Sequence, residues 1–255
     1  MAKDYIHLGL ISAMPEEVGE TVKNLDLVKT IKYGDLEIFI GFLKTNRRIR
    51  ITLTWSGWGK VSSARAITRM IGTADKKNPI QVIFFTGVAG SAQKYISQWD
   101  IVISDKVIQH DMDARPIFKK FVVPSLNNDL ISSNKMWRDW SYKTIKNKLD
   151  SEDLQGFGNL YCGIIATGDK FINDEEIFKN LNDEIPDLLA VEMEGAAVAQ
   201  VAEQEKIPWL IFRVISDSAN SSSDISFTEF MKSYKYFSWK LIKTLLADLE
   251  NSPIA

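Results

Sequence analysis

The sequence predicts an α/β fold: one domain over residues 1–255, built on a central, mixed and twisted β-sheet flanked by helices. Apolar runs of strand length alternate with longer segments of helical spacing, the pattern of a largely parallel sheet covered on both faces. Two early strand-like stretches, Leu36 to Leu43 and Arg48 to Trp55, lie close enough to form a hairpin, which makes the sheet mixed. The 255 residues, 45% hydrophobic and 25% charged, suit a globular chain with a sizeable core. No repeat, low-complexity tract or linker divides them.

His7 to Met14 reads as a buried strand. Pro15 then fits a first helical turn, where its missing N–H costs nothing and Glu16 and Glu17 suit the helix dipole. Lys60 to Thr73 has helical spacing. Ile80 to Thr86 is a strand expected to end in a glycine turn, Gly87 to Ser91. Ile101 to Ile108 and Tyr161 to Ala166 are strands, and the polar stretch Asn127 to Gly158 between them is an excursion with some helix. Leu188 to Glu192 is a short strand entering a helix, Glu194 to Glu205. Pro208 to Ile215 is a strand followed by a turn, Ser216 to Asn220, and Thr228 to Leu249 closes the chain as an amphipathic helix.

Several function classes fall away on composition. A net charge of −2 offers no basic stripe for nucleic acid or an anionic membrane. The basic run Lys44 to Arg50 sits between two strands, as a solvated hairpin end. No apolar run approaches the roughly 20 residues that span a bilayer, and MAKDYIHLGLISAM lacks the apolar core of a secretory signal. A cytoplasmic protein is expected. The single cysteine, Cys162, lies in an apolar run and is expected to be buried and inert. Of the two histidines, His7 reads as structural. His110, beside Asp111 and Asp113, reads as a surface hydrogen-bonding loop rather than a metal ligand. No metal or cofactor is expected.

Ligands of open α/β sheets bind at the carboxyl ends of the strands. The residues there are Met14 to Glu17, Ser56 to Gly59, Thr86 to Ser91, Thr167 to Ile172, Glu192 to Glu194, and Arg213 with Ser216 and Asp217. They include carboxylates and an arginine but no histidine or cysteine, so acid–base work falls to carboxylates. Glycosidic cleavage is chemistry of that kind, since one carboxylate activates water and a second group protonates the leaving group. Each residue also has a plainer reading. Glu17 is consistent with a dipole-complementing surface position, Glu192 and Glu194 with a solvent edge, Asp217 with a turn cap, and the glycine turn with close strand–helix packing.

Six strings occur in order: Ala13-Met14-Pro15-Glu16-Glu17-Val18, Ser56-Gly57-Trp58-Gly59-Lys60-Val61, Thr86-Gly87-Val88-Ala89-Gly90, Gly168-Asp169-Lys170-Phe171-Ile172, Val191-Glu192-Met193-Glu194 and Arg213-Val214-Ile215-Ser216-Asp217. Together they resemble the 5′-methylthioadenosine/S-adenosylhomocysteine nucleosidases of the nucleoside phosphorylase superfamily, across nearly the whole chain. The resemblance implies Glu17 as the base that activates water and Asp217 as the acid that protonates purine N7. Glu194, with Met193 below the sugar, holds the ribose hydroxyls, while Phe171 stacks on the base and Ile172 bonds it through the backbone. Arg213, Ser216 and Glu192 support the carboxylates. Met14, Trp58, Val88, Ala89, Gly90 and Phe227 complete the substrate pocket, with Phe227 lining its 5′ end. A nucleoside is the expected partner, and a homodimer is implied, with the loop His110 to Phe118 completing the neighbouring pocket.

The resemblance also frames the alternatives. Phosphate-using sister enzymes carry Arg-x-Gly-Ser/Thr at the second glycine turn, where this chain has Phe85 and Val88. A phosphate dianion needs several donors, so hydrolysis is expected over phosphorolysis. Val88 replaces a frequent serine, and Trp58 replaces a smaller aliphatic residue, which leaves the 5′ substituent open and keeps a futalosine or aminofutalosine hydrolase in view. A nucleoside sensor without catalysis would be expected to lose Glu17 and Asp217 together. A purely structural protein would not gather carboxylates at so many strand ends.

Overall fold

Ile6–Ser12 (β1) carries Leu8, Leu10 and Ile11 fully out of solvent, and a strand apolar on both faces must lie inside its sheet. It pairs in parallel with Asn46–Trp55 (β4) on one side and Val82–Ser91 (β5) on the other. The structure, a computed structural model, describes residues 5–172, 174–217 and 223–254, with side chains of the last segment from Phe227 onward. Ser218, Ala219 and Asn220, expected to form a turn, lie outside the described residues.

Leu25–Tyr33 (β2) and Leu36–Leu43 (β3) join β4 in an antiparallel meander, with the basic run at the β3–β4 hairpin end as expected. β2 is an addition to the sequence reading. It is the outermost strand, exposes Leu27 and Val28, and so shows little of the alternation that marks a half-buried strand. The remaining strands are Ile101–Gln109 (β6), Leu130–Ser132 (β7), Leu160–Thr167 (β8), Leu188–Glu192 (β9) and Trp209–Asp217 (β10). The helices are Lys60–Gly72 (α1), Lys135–Asp150 (α2), Glu175–Glu184 (α3), Gly195–Gln204 (α4) and Ser223–Ala247 (α5).

The sheet is mixed, as expected, but it does not stay open. β10 pairs in parallel with β5 and antiparallel with β6, β6 and β8 are parallel, β8 and β9 are parallel, and β9 returns antiparallel to β5. These five strands close into a ring. The closure corrects the expected glycine turn, because Gly87 to Ser91 stays in β5. Val88, Ala89 and Gly90 pair with Val214, Ile215 and Asp217, while Gly90 and Ser91 also meet Val191 and Ala190. The glycines serve close approach between strands rather than a turn.

Side chains that alternate along the strands build a core on each face. Leu10, Phe84, Phe212 and Val214 pack with Trp137 of α2 and Tyr234, Leu241 and Leu245 of α5. Their neighbours Ile11, Phe85, Ile211 and Ile215 pack with Ala66, Ile67 and Met70 of α1 and Val198, Ala199 and Ala202 of α4. Each such aromatic or aliphatic side chain contributes about 1.5–3 kcal/mol by leaving water. The stretch expected as an excursion therefore supplies α2, which covers the core. Cys162, expected to be buried, is exposed. β9 first pairs with β8 at Ile164, so the opening residues of β8 lack a neighbour on that side. His7 is structural, as expected. Its Nδ1 lies 3.0 Å from the Asn78 carbonyl, so it donates there, and Nε2 then accepts from the Thr52 hydroxyl at 2.8 Å. Burial holds its pKa down to about 4, in keeping with a neutral ring.

The expected helix at Pro15 is a single 3₁₀ turn, Pro15–Glu17. α5 lies across it: the Ser238 hydroxyl donates to the Glu16 carbonyl at 2.9 Å, and Gly19, at φ +51°, brings its backbone against the helix. A Cβ on Gly19 would stand 2.5 Å from Ser238 Oγ and 3.1 Å from the Lys235 carbonyl oxygen. Gly19→Ala is expected to cost about 1–3 kcal/mol in urea unfolding, from backbone strain and the clash together. An unchanged unfolding midpoint would mean that α5 does not press on the turn as described.

Candidate active site

The 3₁₀ turn directs the Glu17 side chain inward, away from the solvent position that its sequence context also allowed. Only 3% of the residue is exposed. Its Oε2 accepts from the backbone N–H groups of Ala13 and Met14, both at 2.8 Å, and Oε1 accepts from Val88 N–H at 3.0 Å. Gly87 makes this approach possible, since a Cβ there would sit 2.6 Å from Glu17 Oε1 and 2.7 Å from Arg213 Nη1. Burial pushes the Glu17 pKa up, while the Arg213 charge and the three N–H donors pull the other way.

Arg213 comes from the middle of β10 and is fully buried, its guanidinium 4.0 Å from the Phe85 ring centroid. Nη2 donates to Glu192 Oε2 at 2.5 Å, whereas Nε and Nη1 have no partner among the described residues. Glu192 also takes the Gly195 N–H at 2.7 Å, the Glu194 N–H at 3.1 Å and the Thr167 hydroxyl. It thus caps the amino end of α4 as well as pairing Arg213. The strand ends at Glu192, so Glu194 turns a different way, and its Oε1 accepts from Gly59 N–H at 2.8 Å. Burial, then the Glu192 charge, raises the Glu194 pKa to about 8.

Asp217 reaches the same space through a bulge. Ile215 faces Ala89 and Asp217 faces Gly90, which leaves Ser216 as the extra residue. The Ser216 hydroxyl lies 2.5 Å from Asp217 Oδ1 and 3.3 Å from the Ala89 carbonyl. With one proton to give, it donates to an ionised Asp217, or accepts from a protonated one and donates to Ala89. Burial raises the Asp217 pKa, opposed by the Ser216 hydroxyl.

Glu17, Glu192, Glu194, Ser216 and Asp217 line one cavity. Met14, Val88, Ala89, Gly90 and Met193 line it beside the carboxylates. Trp58, Phe171, Ile172 and Phe227 complete the wall. Phe227 meets Phe171 and Trp58 edge-on, with ring centroids 6.1 and 6.4 Å apart, and Trp58 remains 55% exposed at the mouth. Of the expected site residues only Arg213 is not on the cavity wall. It stands behind the carboxylates.

Sequence reasoning passed over Ala13, Lys170 and Val191, which also line the cavity, and Gly87, Thr167 and the Gly59 N–H, which hold its carboxylates. Gly87 and Gly59 stand inside the quoted strings, and their lack of a side chain was the available signal. Thr167 stood at a strand end in the sequence reading but carried no assigned role. His110, expected on the surface, is half-buried, with its ring against Gly168, and Asp111 faces Lys60.

The family model of the phosphorylase superfamily matches residues 7–247. A 5′-methylthioadenosine/S-adenosylhomocysteine nucleosidase of Staphylococcus epidermidis is 31% identical over 95% of this chain and 100% of its own length. One from Staphylococcus haemolyticus is 32% identical over 94% and 98%. Among solved structures, the Neisseria meningitidis nucleosidase in complex with methylthio-immucillin-A superposes with a TM-score of 0.82 at 28% identity, over 94% of this chain and 98% of that one. A Helicobacter pylori futalosine hydrolase also gives 0.82, at 26% identity over 95% and 98%.

The raised Glu194 pKa has a consequence for stability. The folded state holds this proton up to about pH 8, whereas the unfolded chain releases it near 4.5. The stabilisation is complete below 4.5 and is lost as pH rises through 8. The difference in unfolding free energy between the unmodified protein and Glu194→Gln is therefore expected to shift against the unmodified protein between pH 5 and 8. A pH-independent difference would place Glu194 in water-like surroundings.

Proposed function

The chain belongs to the phosphorylase superfamily and, within it, to the 5′-methylthioadenosine/S-adenosylhomocysteine nucleosidases, and we propose that it hydrolyses the N-glycosidic bond of 5′-substituted adenine nucleosides. The observation that carries this reading is a single cavity holding two buried carboxylates, Glu17 and Asp217, whose surroundings differ. Glu17 has three N–H donors and a buried cation to favour its anion, whereas Asp217 has one hydroxyl. Paired environments of this kind separate a base from an acid.

In the proposed reaction Glu17 takes a proton from water as the water oxygen bonds to C1′. The C1′–N9 bond breaks, and its electron pair enters the purine as Asp217 delivers a proton to N7. The products are adenine and the 5′-substituted ribose, and solvent resets both carboxylates. Positive charge on the sugar in the transition state faces the anionic groups around it. Glu194 holds the ribose diol, Met193 supports the sugar, and Phe171 and Ile172 hold the base. Arg213, Glu192 and Ser216 support the carboxylates, and Phe227 and Trp58 line the 5′ end.

Water rather than phosphate is the proposed nucleophile for a specific reason. The Val88 N–H that could cradle a phosphate already donates to Glu17 at 3.0 Å, Val88 adds no hydroxyl, and Phe85 is buried beneath Arg213. A second reading, hydrolysis of aminofutalosine, rests on the likeness to a futalosine hydrolase. We further propose a homodimer through the loop His110 to Phe118, where Ile117 is 84% exposed. A cytoplasmic setting is in keeping with the described helices, none of which is long and apolar enough to cross a membrane.

Purified protein is expected to release adenine from 5′-methylthioadenosine in phosphate-free buffer, and Asp217→Asn to lower kcat by roughly 10²–10⁴-fold. Release that requires added phosphate would overturn the hydrolytic reading. Trp58→Ile is expected to raise kcat/KM for bulkier 5′ groups more than for methylthio. Equal effects on both would remove Trp58 from the 5′ pocket.

A further inference from the structure

Beside the cavity, but not on its wall, three charged side chains join segments far apart in sequence. Lys60 Nζ reaches Asp111 Oδ1 at 2.5 Å and the Gln109 side-chain oxygen at 3.3 Å. Asp111 Oδ2 accepts the Asp169 N–H at 3.0 Å, and Asp169 Oδ1 accepts the Lys60 N–H at 2.8 Å. The circuit runs from β6 to the start of α1 and on to the segment after β8, with each partner serving two others. The Lys60 side chain is only 18% exposed and that of Asp111 34%, so this pair is better shielded than an ordinary surface ion pair.

Each member adjoins a part of the cavity wall. Lys60 begins α1 directly after Gly59, whose N–H holds Glu194, and Trp58 stands one residue further back. Asp169 is two residues from Phe171. The room is close to minimal, since a Cβ on Gly59 would lie 3.0 Å from Asp169 Oδ1 and one on Gly168 would lie 2.2 Å from His110 Nε2. Asp169 also caps the first turn of α1 from outside the helix, a carboxylate at the positive end of its dipole.

We infer that Lys60, Asp111 and Asp169 form a positioning clamp that fixes the distance between the Phe171 segment and the Gly59–Glu194 pair, and so the width of the slot for the base and ribose. The inference rests on the proposed function for the identity of the ligand, and the clamp residues themselves touch no reacting atom. Contacts of Phe171 with a base are as strong in the ground state as in the transition state. Loosening the clamp therefore weakens binding without slowing the chemical step.

The test is steady-state kinetics of adenine release from 5′-methylthioadenosine for Asp111→Asn, Lys60→Met and the double variant, with a melting curve for each. Asp111→Asn keeps the shape but loses the charge and one acceptor, and Lys60→Met keeps most of the stem. Each single variant is expected to raise KM about 5–10-fold with kcat within about twofold. The double variant is expected to match the worse single one, because the residues act through one circuit. Unchanged KM in both single variants would overturn the clamp, as would a fall in kcat at constant KM. Multiplied effects in the double variant would overturn the shared circuit. Parallel loss of activity and melting temperature in both would reduce the circuit to a fold-stabilising ion pair. An unmodified protein that releases no adenine would defeat the proposed function instead, and binding of adenine, measured calorimetrically on the same variants, would then decide the clamp by itself.

Discussion

A buried cation is the constraint on which the site depends. Arg213 sits in the middle of a sheet strand with no exposure to speak of, and an uncompensated charge there would cost several kcal/mol. Glu192 compensates it by direct contact, and Glu17 adds its field. Once Arg213 is in place, the other residues follow. Glu192 must stay at the end of β9, Thr167 and the amino end of α4 must supply its remaining hydrogen bonds, and Gly87 must leave room for both Glu17 and the guanidinium. Glu17 and Glu192 are thereby kept in a space that would otherwise exclude them.

Closure of the sheet brings these residues to one place. β5 continues through the glycines, so it pairs with β10 along one edge and with β9 along the other. Glu192 at the end of β9, Asp217 at the end of β10 and Val88 on β5 then face a common cavity. The bulge at Ser216 places the Asp217 side chain in this cavity. The end of β10 holds the acid and the 3₁₀ turn after β1 holds the base, while Trp58 and Phe171 from segments between elements and Phe227 from α5 supply the aromatic wall.

Much of this was legible in the sequence because burial and charge leave periodic marks. The segments His7 to Met14, Ile80 to Thr86 and Pro208 to Ile215 read as strands, and carboxylates just beyond them read as a site. The failures also have physical causes. β2 is an outer strand with exposed apolar residues, so it lacks the alternation that burial imposes. The Gly87 to Ser91 segment resembles a turn locally, and only pairing with two distant strands makes it extended. Cys162 sits in an apolar run, yet its side chain is exposed. The Lys60–Asp111–Asp169 circuit joins three separate regions and has no local signature at all.

The central claim is that water, activated beside Glu17, attacks the anomeric carbon. Mass spectrometry of the sugar product formed in ¹⁸O-enriched water, with phosphate present, tests it most directly. The account predicts one ¹⁸O atom in the released 5′-methylthioribose and no sugar phosphate. A ribose 1-phosphate without solvent oxygen would contradict it.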